Sequence, residues 1–332
     1  MVKDKKYKNN TLYSFKTLAC FCIILIHCNF PGKFGELSLV LSRWAVPFFF
    51  MISGYFSFFE NSKMVKETID KRIKNICKMV LIAFIGYFIL HLLIILYQGD
   101  IQQYISELIM PTNLFKFICL NWTTPYVGVG HLWYLFAMIY VYLLYKLISK
   151  YNLYKHCYIY SFISIFGIYL FEIINRYCEL SVETIWWRNF LFLGFPFFML
   201  GHFIHKNEKK VKVEEKRLKK VLGIGLISSI CILIFEIILF KSSFDLYLNS
   251  VVIAVLSFLI ALNYPNIKFL NEIGEKDSSS IYIIHYAVII IICKNLNNYN
   301  VDIIILKYIQ PFMVFGISLL FSIIFRKVKR LK

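Results

Sequence analysis

The chain has 332 residues, 59% of them apolar and 18% aromatic, with 37 lysines and arginines against 19 acidic residues and a mean hydropathy of +0.65. A soluble domain carries about 45–50% apolar residues, so this composition excludes an ordinary water-soluble globule. The net charge of +18 does not point to nucleic acid either, because the basic residues border apolar segments instead of forming one patch.

A helix that crosses a bilayer needs about 20 mostly apolar residues, and it pairs its own backbone groups where no water can. The period-two alternation of a membrane barrel is absent. The fold class is therefore all-α, a polytopic helix bundle forming one integral-membrane domain over 1–332. In chain order the apolar segments predict ten spans, at about 12–30, 44–60, 79–97, 131–148, 157–175, 189–205, 221–240, 247–263, 278–294 and 308–325. The second is short and holds Pro47; the eighth carries Asn249 and Asn263. The two tails and every second connection together hold 27 lysines and arginines, against 8 in the alternate connections. By the positive-inside rule both termini are cytoplasmic. The first apolar stretch is long and lacks a small-residue cleavage site, so it reads as a span and not as a removable signal.

Three connections stand out. Segment 98–130 is predicted outside the membrane, and its aromatic content (Phe115, Phe117, Trp122, Tyr126) suggests a short interfacial or re-entrant helix. Segment 61–78 is a basic amphipathic stretch on the inside, and 206–220 is a solvated connection of mixed charge. The nine cysteines show no metal-ligand spacing, so no metal is expected, and Cys20, Cys22, Cys77 and Cys231 read as small hydrophobes.

An ionisable group near the bilayer centre costs about 2.5–3.5 kcal/mol and normally faces protein. The candidates are Lys16, His27, His91, Glu172, His202, Glu236 and His285. Lys16 and His27 are eleven positions apart, within roughly 20° of three full turns of helix, so they share one face. A membrane histidine is commonly an interhelical hydrogen-bonder, and both readings stay open for His27 and His285. Glu172 and Glu236 either pair and pack, or orient a histidine or bind a hydroxyl. In the second span, AVPFFFMISGYF places Ser53 and Gly54 where small residues permit close helix approach.

These residues resemble the membrane acyltransferase-3 superfamily. The resemblance rests on a basic residue, ten intervening residues and a histidine in the first span (Lys16, His27), followed by AVPFFFMISGYF. DKRIKNI, GHLWYLFAMI, FPFFMLGHFI and SSSIYIIHYAVI continue it in family order over nearly the whole chain. Two positions depart from the pattern: Lys16 stands where the family usually has arginine, and Tyr13 where it often has aspartate. Lysine keeps the charge but loses the planar fork that grips phosphate in two bonds.

The resemblance implies a multi-pass enzyme of a bacterial-type cell membrane, embedded in lipid, that moves an acyl group, acetyl first of all, from cytoplasmic acyl-CoA to a hydroxyl of a surface polysaccharide. His27 is the expected catalytic residue. An imidazole titrates near neutral pH, so it either deprotonates the acceptor directly or first carries the acyl group. Lys16, Lys71, Arg72 and Lys74 are the expected partners of the donor's phosphates, with an ordinary inside-positive flank as the other reading. Arg43, His131, Trp133 and His285 are the expected acceptor-side residues; an interfacial aromatic belt equally explains His131 and Trp133. The alternative function is a transporter or flippase for a glycan or lipid-linked intermediate, although the matched halves common in transporters are not seen.

Overall fold

A computed structural model describes residues 9–212, 216–240, 244–298 and 304–331. The basic tail through Lys8 and Lys241 lie outside the described residues. All regular structure among the described residues is helical. Helix α1 (Asn10–His27) begins where the Asn9 side chain accepts the Leu12 N–H, and it closes with the Cys28 N–H on the Ile24 carbonyl. Then follow α2 (Gly32–Leu41), α3 (Ala45–Tyr55) and α4 (Ser62–Gln98), the last capped by the Asn61 side chain and ended by Gly99 at φ 83°. Three short helices come next: α5 (Ile101–Ile109), α6 (Pro111–Leu120) and α7 (Thr124–Val127). After α8 (Trp133–Tyr151) and α9 (Tyr154–Tyr177), a π-turn at Phe190–Gly194 leads into α10 (Phe195–Lys206). The remainder comprises α11 (Glu208–Val211), α12 (Lys216–Phe240), α13 (Leu248–Asn263), α14 (Asn271–Lys276), α15 (Ser278–Asn298) and α16 (Ile304–Leu331).

Each of the ten predicted ranges contains helix, although α1 ends at His27 and α3 at Tyr55, short of the predicted ends at 30 and 60. Six stretches are long and apolar enough to cross a membrane: Asn10–His27, Gly32–Tyr55, Lys63–Gln98, Tyr154–Tyr177, Lys219–Phe240 and Ile304–Lys329. Phe190–Lys206, Leu248–Asn263 and Ser278–Ile292 are apolar but shorter. The second range differs from expectation. Helix starts at Gly32 instead of near residue 44, because Lys33 and Glu36 dilute the hydropathy of a segment that is nonetheless helical from Gly32 to Leu41. Arg43, expected in an outer connection, therefore lies in the short break between α2 and α3. The basic stretch 61–78 and the third span form one unbroken 37-residue helix. The 98–130 segment holds three short helices where one was expected.

The chain divides into two compact units, Met1–Phe49 with Asn207–Lys332, and Phe50–Lys206. In the first, α1 is the central element: 56% of it is buried, against 17% of the α12 stretch and 22% of the α16 stretch. Its N-terminal edge is polar and bonded to the end of α13 and the stretch that follows it. Asn9, Thr11, Ser14 and Thr17 donate to the carbonyls of Ala261, Tyr264, Ile267 and Leu270, and the Ile267 N–H returns a bond to Thr11 Oγ1. Gly274 of α14 sits so close that a methyl group there would overlap the Tyr13 carbonyl. Farther along, Cys20 and Ile24 of α1 and Cys28 just after it share one buried cluster with Ile281, Val288 and Val314. Buried Asp277, at the start of α15, binds Ser322 Oγ (2.8 Å) and Arg326 (2.9 Å) of α16.

The second unit packs α4 on α8, α9 on α10, and the C-terminal part of α3 on α10. The last contact is backbone on backbone. A methyl at Gly54 would overlap the Phe198 carbonyl, and one at Gly201 the Met51 carbonyl, the small-residue approach that Ser53-Gly54 suggests. The end of α3 is then capped from several sides. Arg72 donates to Ser53 O (3.3 Å), Ser57 Oγ (2.7 Å) and Phe56 O (2.7 Å), His205 to Tyr55 O (2.7 Å), and Tyr145 to Ser57 O (2.8 Å). Helix-end carbonyls shielded from water need such donors.

Candidate functional site

In the first unit, α1 runs unbroken from Asn10 to His27. The helical geometry that puts Lys16 and His27 on one face therefore holds along its whole length. Lys16 is partly buried, with its ammonium 5.7 Å from the Tyr13 ring centre. His27 is the last residue of the helix and is exposed. Its ring lies 5.5 Å from that of His285 at an interplanar angle of 38°, and 5.3 Å from Tyr286, edge to face. The sequence left His285 between packing and chemistry; the structure places it beside His27.

His285 itself is fully buried on α15. Its Nδ1 is 2.7 Å from the Tyr282 carbonyl and 3.2 Å from that of Ile281. Carbonyl oxygens only accept, so Nδ1 carries the proton. In the neutral ring Nε2 is then the lone-pair nitrogen. Tyr286 escaped the sequence reading although it directly follows His285 in SSSIYIIHYAVI; its signal was its place in that motif.

Arg43 pairs with Asp245 at 2.8 Å, both side chains being largely buried at 14% and 8% exposure. Asp245 was missed. Its signal is one of charge complementarity, since it stands close to the start of the eighth span, on the side to which the basic residue count assigns Arg43.

In the second unit, the anionic-donor candidates on α4 separate into two kinds. Lys71 and Lys74 are exposed, whereas Arg72 is engaged with the end of α3 and lies 6.0 Å from the Tyr142 ring. His131 is 2% exposed in the turn before α8, with its ring 5.0 Å from Tyr87. Trp133 opens α8 and is half-buried against Phe50.

The other membrane-depth groups have structural partners. His202 lies inside a tyrosine cage: Tyr158 Oη is 2.8 Å from Nδ1, Tyr145 Oη is 3.0 Å from Nε2, and Tyr154 stacks on the ring. Because Tyr145 donates to Ser57 O, it accepts from Nε2, and Nδ1 accepts from Tyr158. Glu172 accepts from Trp187 Nε1 at 2.7 Å. The His91 ring meets Tyr104 edge to face at 5.0 Å. Glu236 is buried on α12.

Three comparisons with known proteins bear on this arrangement. A serine/alanine racemase from Enterococcus gallinarum is 35% identical over 85 residues, covering 23% of this chain and 12% of the racemase. The similarity thus spans a small part of that relative's length. No solved structure matches. The family model for the acyltransferase-3 group, described as an acyltransferase domain, matches residues 11–326. With that match running through both units and including Lys16 and His27, the chain belongs to the acyltransferase-3 family.

Proposed function

We propose that this protein is a multi-pass membrane O-acyltransferase that takes an acyl group, acetyl in the first instance, from a cytoplasmic CoA thioester and passes it to a hydroxyl of a cell-surface glycan. The observation that carries the reading is the exposed imidazole of His27, on one unbroken helix with Lys16 and inside the residues that match the acyltransferase-3 family. A thioester is already activated, so what the protein must add is a base for the acceptor hydroxyl. His27 takes that proton as the new C–O bond forms and the C–S bond breaks, and the departing thiolate takes the proton back. If His27 instead carries the acyl group, its ring nitrogen attacks the thioester carbonyl, the C–S bond breaks and the thiolate leaves with the ring proton; the acceptor oxygen then takes the acyl group and its proton returns to the imidazole.

The donor's phosphates call for cations on the cytoplasmic side. Lys16, Lys71 and Lys74 fill that role in this proposal, because Arg72 already bonds three groups at the end of α3. Trp133 offers a half-exposed indole face suited to a sugar ring.

The test compares cells with and without the protein, and with His27→Ala, by mass spectrometry of the envelope. Labelled acetyl-CoA is supplied to the cytoplasmic face of inverted membrane vesicles. Loss of the envelope acyl group and of label incorporation, with the variant present at normal level, supports the enzyme. Retained acylation with blocked export of the glycan supports a carrier instead.

A further inference from the structure

The two rings that meet at the end of α1 differ in exposure, and that difference divides their roles. His27 is exposed and can touch a substrate, whereas His285 is wholly enclosed behind it. We propose that His285 is the positioning residue for His27: anchored by its Nδ1–H to its own helix, it presents Nε2 as the hydrogen-bond acceptor that orients the His27 ring and steadies the proton His27 takes up. This rests on the reading of His27 as the base.

Four observations carry it. The bonds from Nδ1 to the Tyr282 and Ile281 carbonyls fix both the tautomer and the ring plane of His285. The ring centres are 5.5 Å apart at 38°, so the two imidazoles are direct neighbours. The register between α1 and α15 is held on both sides of the pair, by Cys20 Sγ on the Ser278 carbonyl at 3.8 Å and by the cluster of Ile24, Cys28, Ile281 and Val288. Tyr286 stands edge-on to His27, so that ring has a wall on a second side.

The arrangement follows the logic of a base oriented by a third group, with a neutral acceptor where a carboxylate is usual. In a lipid-shielded site that choice has a physical reason. A carboxylate would bring a full charge into a low-dielectric region, whereas an imidazole orients its neighbour without one. An accepting Nε2 selects the His27 tautomer whose other nitrogen has its lone pair free for the acceptor hydroxyl.

Two substitutions separate this role from simple packing. His285→Asn keeps a δ-position N–H for the Tyr282 carbonyl and has no atom at the ε position. His285→Gln places an amide oxygen within reach of that position. Transfer from acetyl-CoA is measured in membranes carrying the full chain, per mole of protein that runs as a single species in detergent. The Asn variant should lose about 100-fold in kcat with the KM for acetyl-CoA unchanged, while Gln stays within about threefold of wild type. Equal rates for Asn and Gln, whether both high or both low, overturn the positioning role. His27→Ala is measured alongside. If it is inactive while Asn and Gln match each other, only this inference falls; if it retains full transfer, the reading of His27 falls as well.

Discussion

Two of the buried histidines of this protein, His202 and His285, stand in opposite kinds of surroundings. Around His202 every nitrogen meets a tyrosine hydroxyl, a third tyrosine covers the ring face, and Tyr145 relays onward to the end of α3. The group is closed, and its outcome is a fixed helix terminus. Around His285 one nitrogen is tied to backbone, and the ring faces another imidazole that reaches the exterior. A polar group at membrane depth is therefore not by itself a sign of chemistry. What distinguishes the two is whether the ring's neighbours are all enclosed in the fold or include an accessible side chain. The same contrast separates Arg72, bonded to Ser53, Phe56 and Ser57, from Lys71 and Lys74, which are exposed on the same helix.

Substitutions can break that contrast. The largest effect is expected at the open end: His27→Ala should lower acyl transfer by at least about 1,000-fold without changing the amount of folded protein, as read by label incorporation and by elution in detergent. Next comes the buried ion pair. Arg43→Ala leaves Asp245 unpartnered by its arginine and should cost about 3–5 kcal/mol, seen as a fall in thermal midpoint, whereas replacing both residues with apolar ones should recover much of it. Gly54→Val pushes a side chain into the Phe198 carbonyl and should destabilise by about 1–3 kcal/mol, measured the same way. The smallest effect belongs to the closed end. Tyr158→Phe removes one donor to His202 and should cost about 1 kcal/mol while leaving the kcat of acyl transfer unchanged. A tenfold loss of kcat in that variant would erase the distinction between the two histidines.

What the sequence made legible follows from periods and sizes. The shared face of Lys16 and His27 needs only the helical repeat, and the close approach at Gly54 needs only the absence of a side chain. The ranges of the spans follow from hydropathy, and they fail where charge dilutes it, as Lys33 and Glu36 do in α2. The partnerships were not legible. His27 with His285, Arg43 with Asp245 and Arg72 with the end of α3 are non-local contacts, and no local pattern encodes which face of one helix meets which face of another. Resemblance suggested that Arg72 binds phosphate; the coordinates give it three protein acceptors. Tyr145, Tyr158 and Asn121 lie among so many aromatic and polar residues that nothing in the string marks them, although Asn121 Oδ1 accepts the Phe190 N–H at the π-turn (3.2 Å).

The seam of hydroxyls on α1 has a consequence for biogenesis. Thr11, Ser14 and Thr17 bond to carbonyls 253 positions later in the chain. Ser14 and Thr17 also bond the carbonyls of Asn10 and Tyr13 within α1, so the helix alone already serves these hydroxyls and the later stretch adds a second acceptor to each. Residues 264–270 are made long after α1, so the register between the two is set only once that stretch has emerged and docked on the helix.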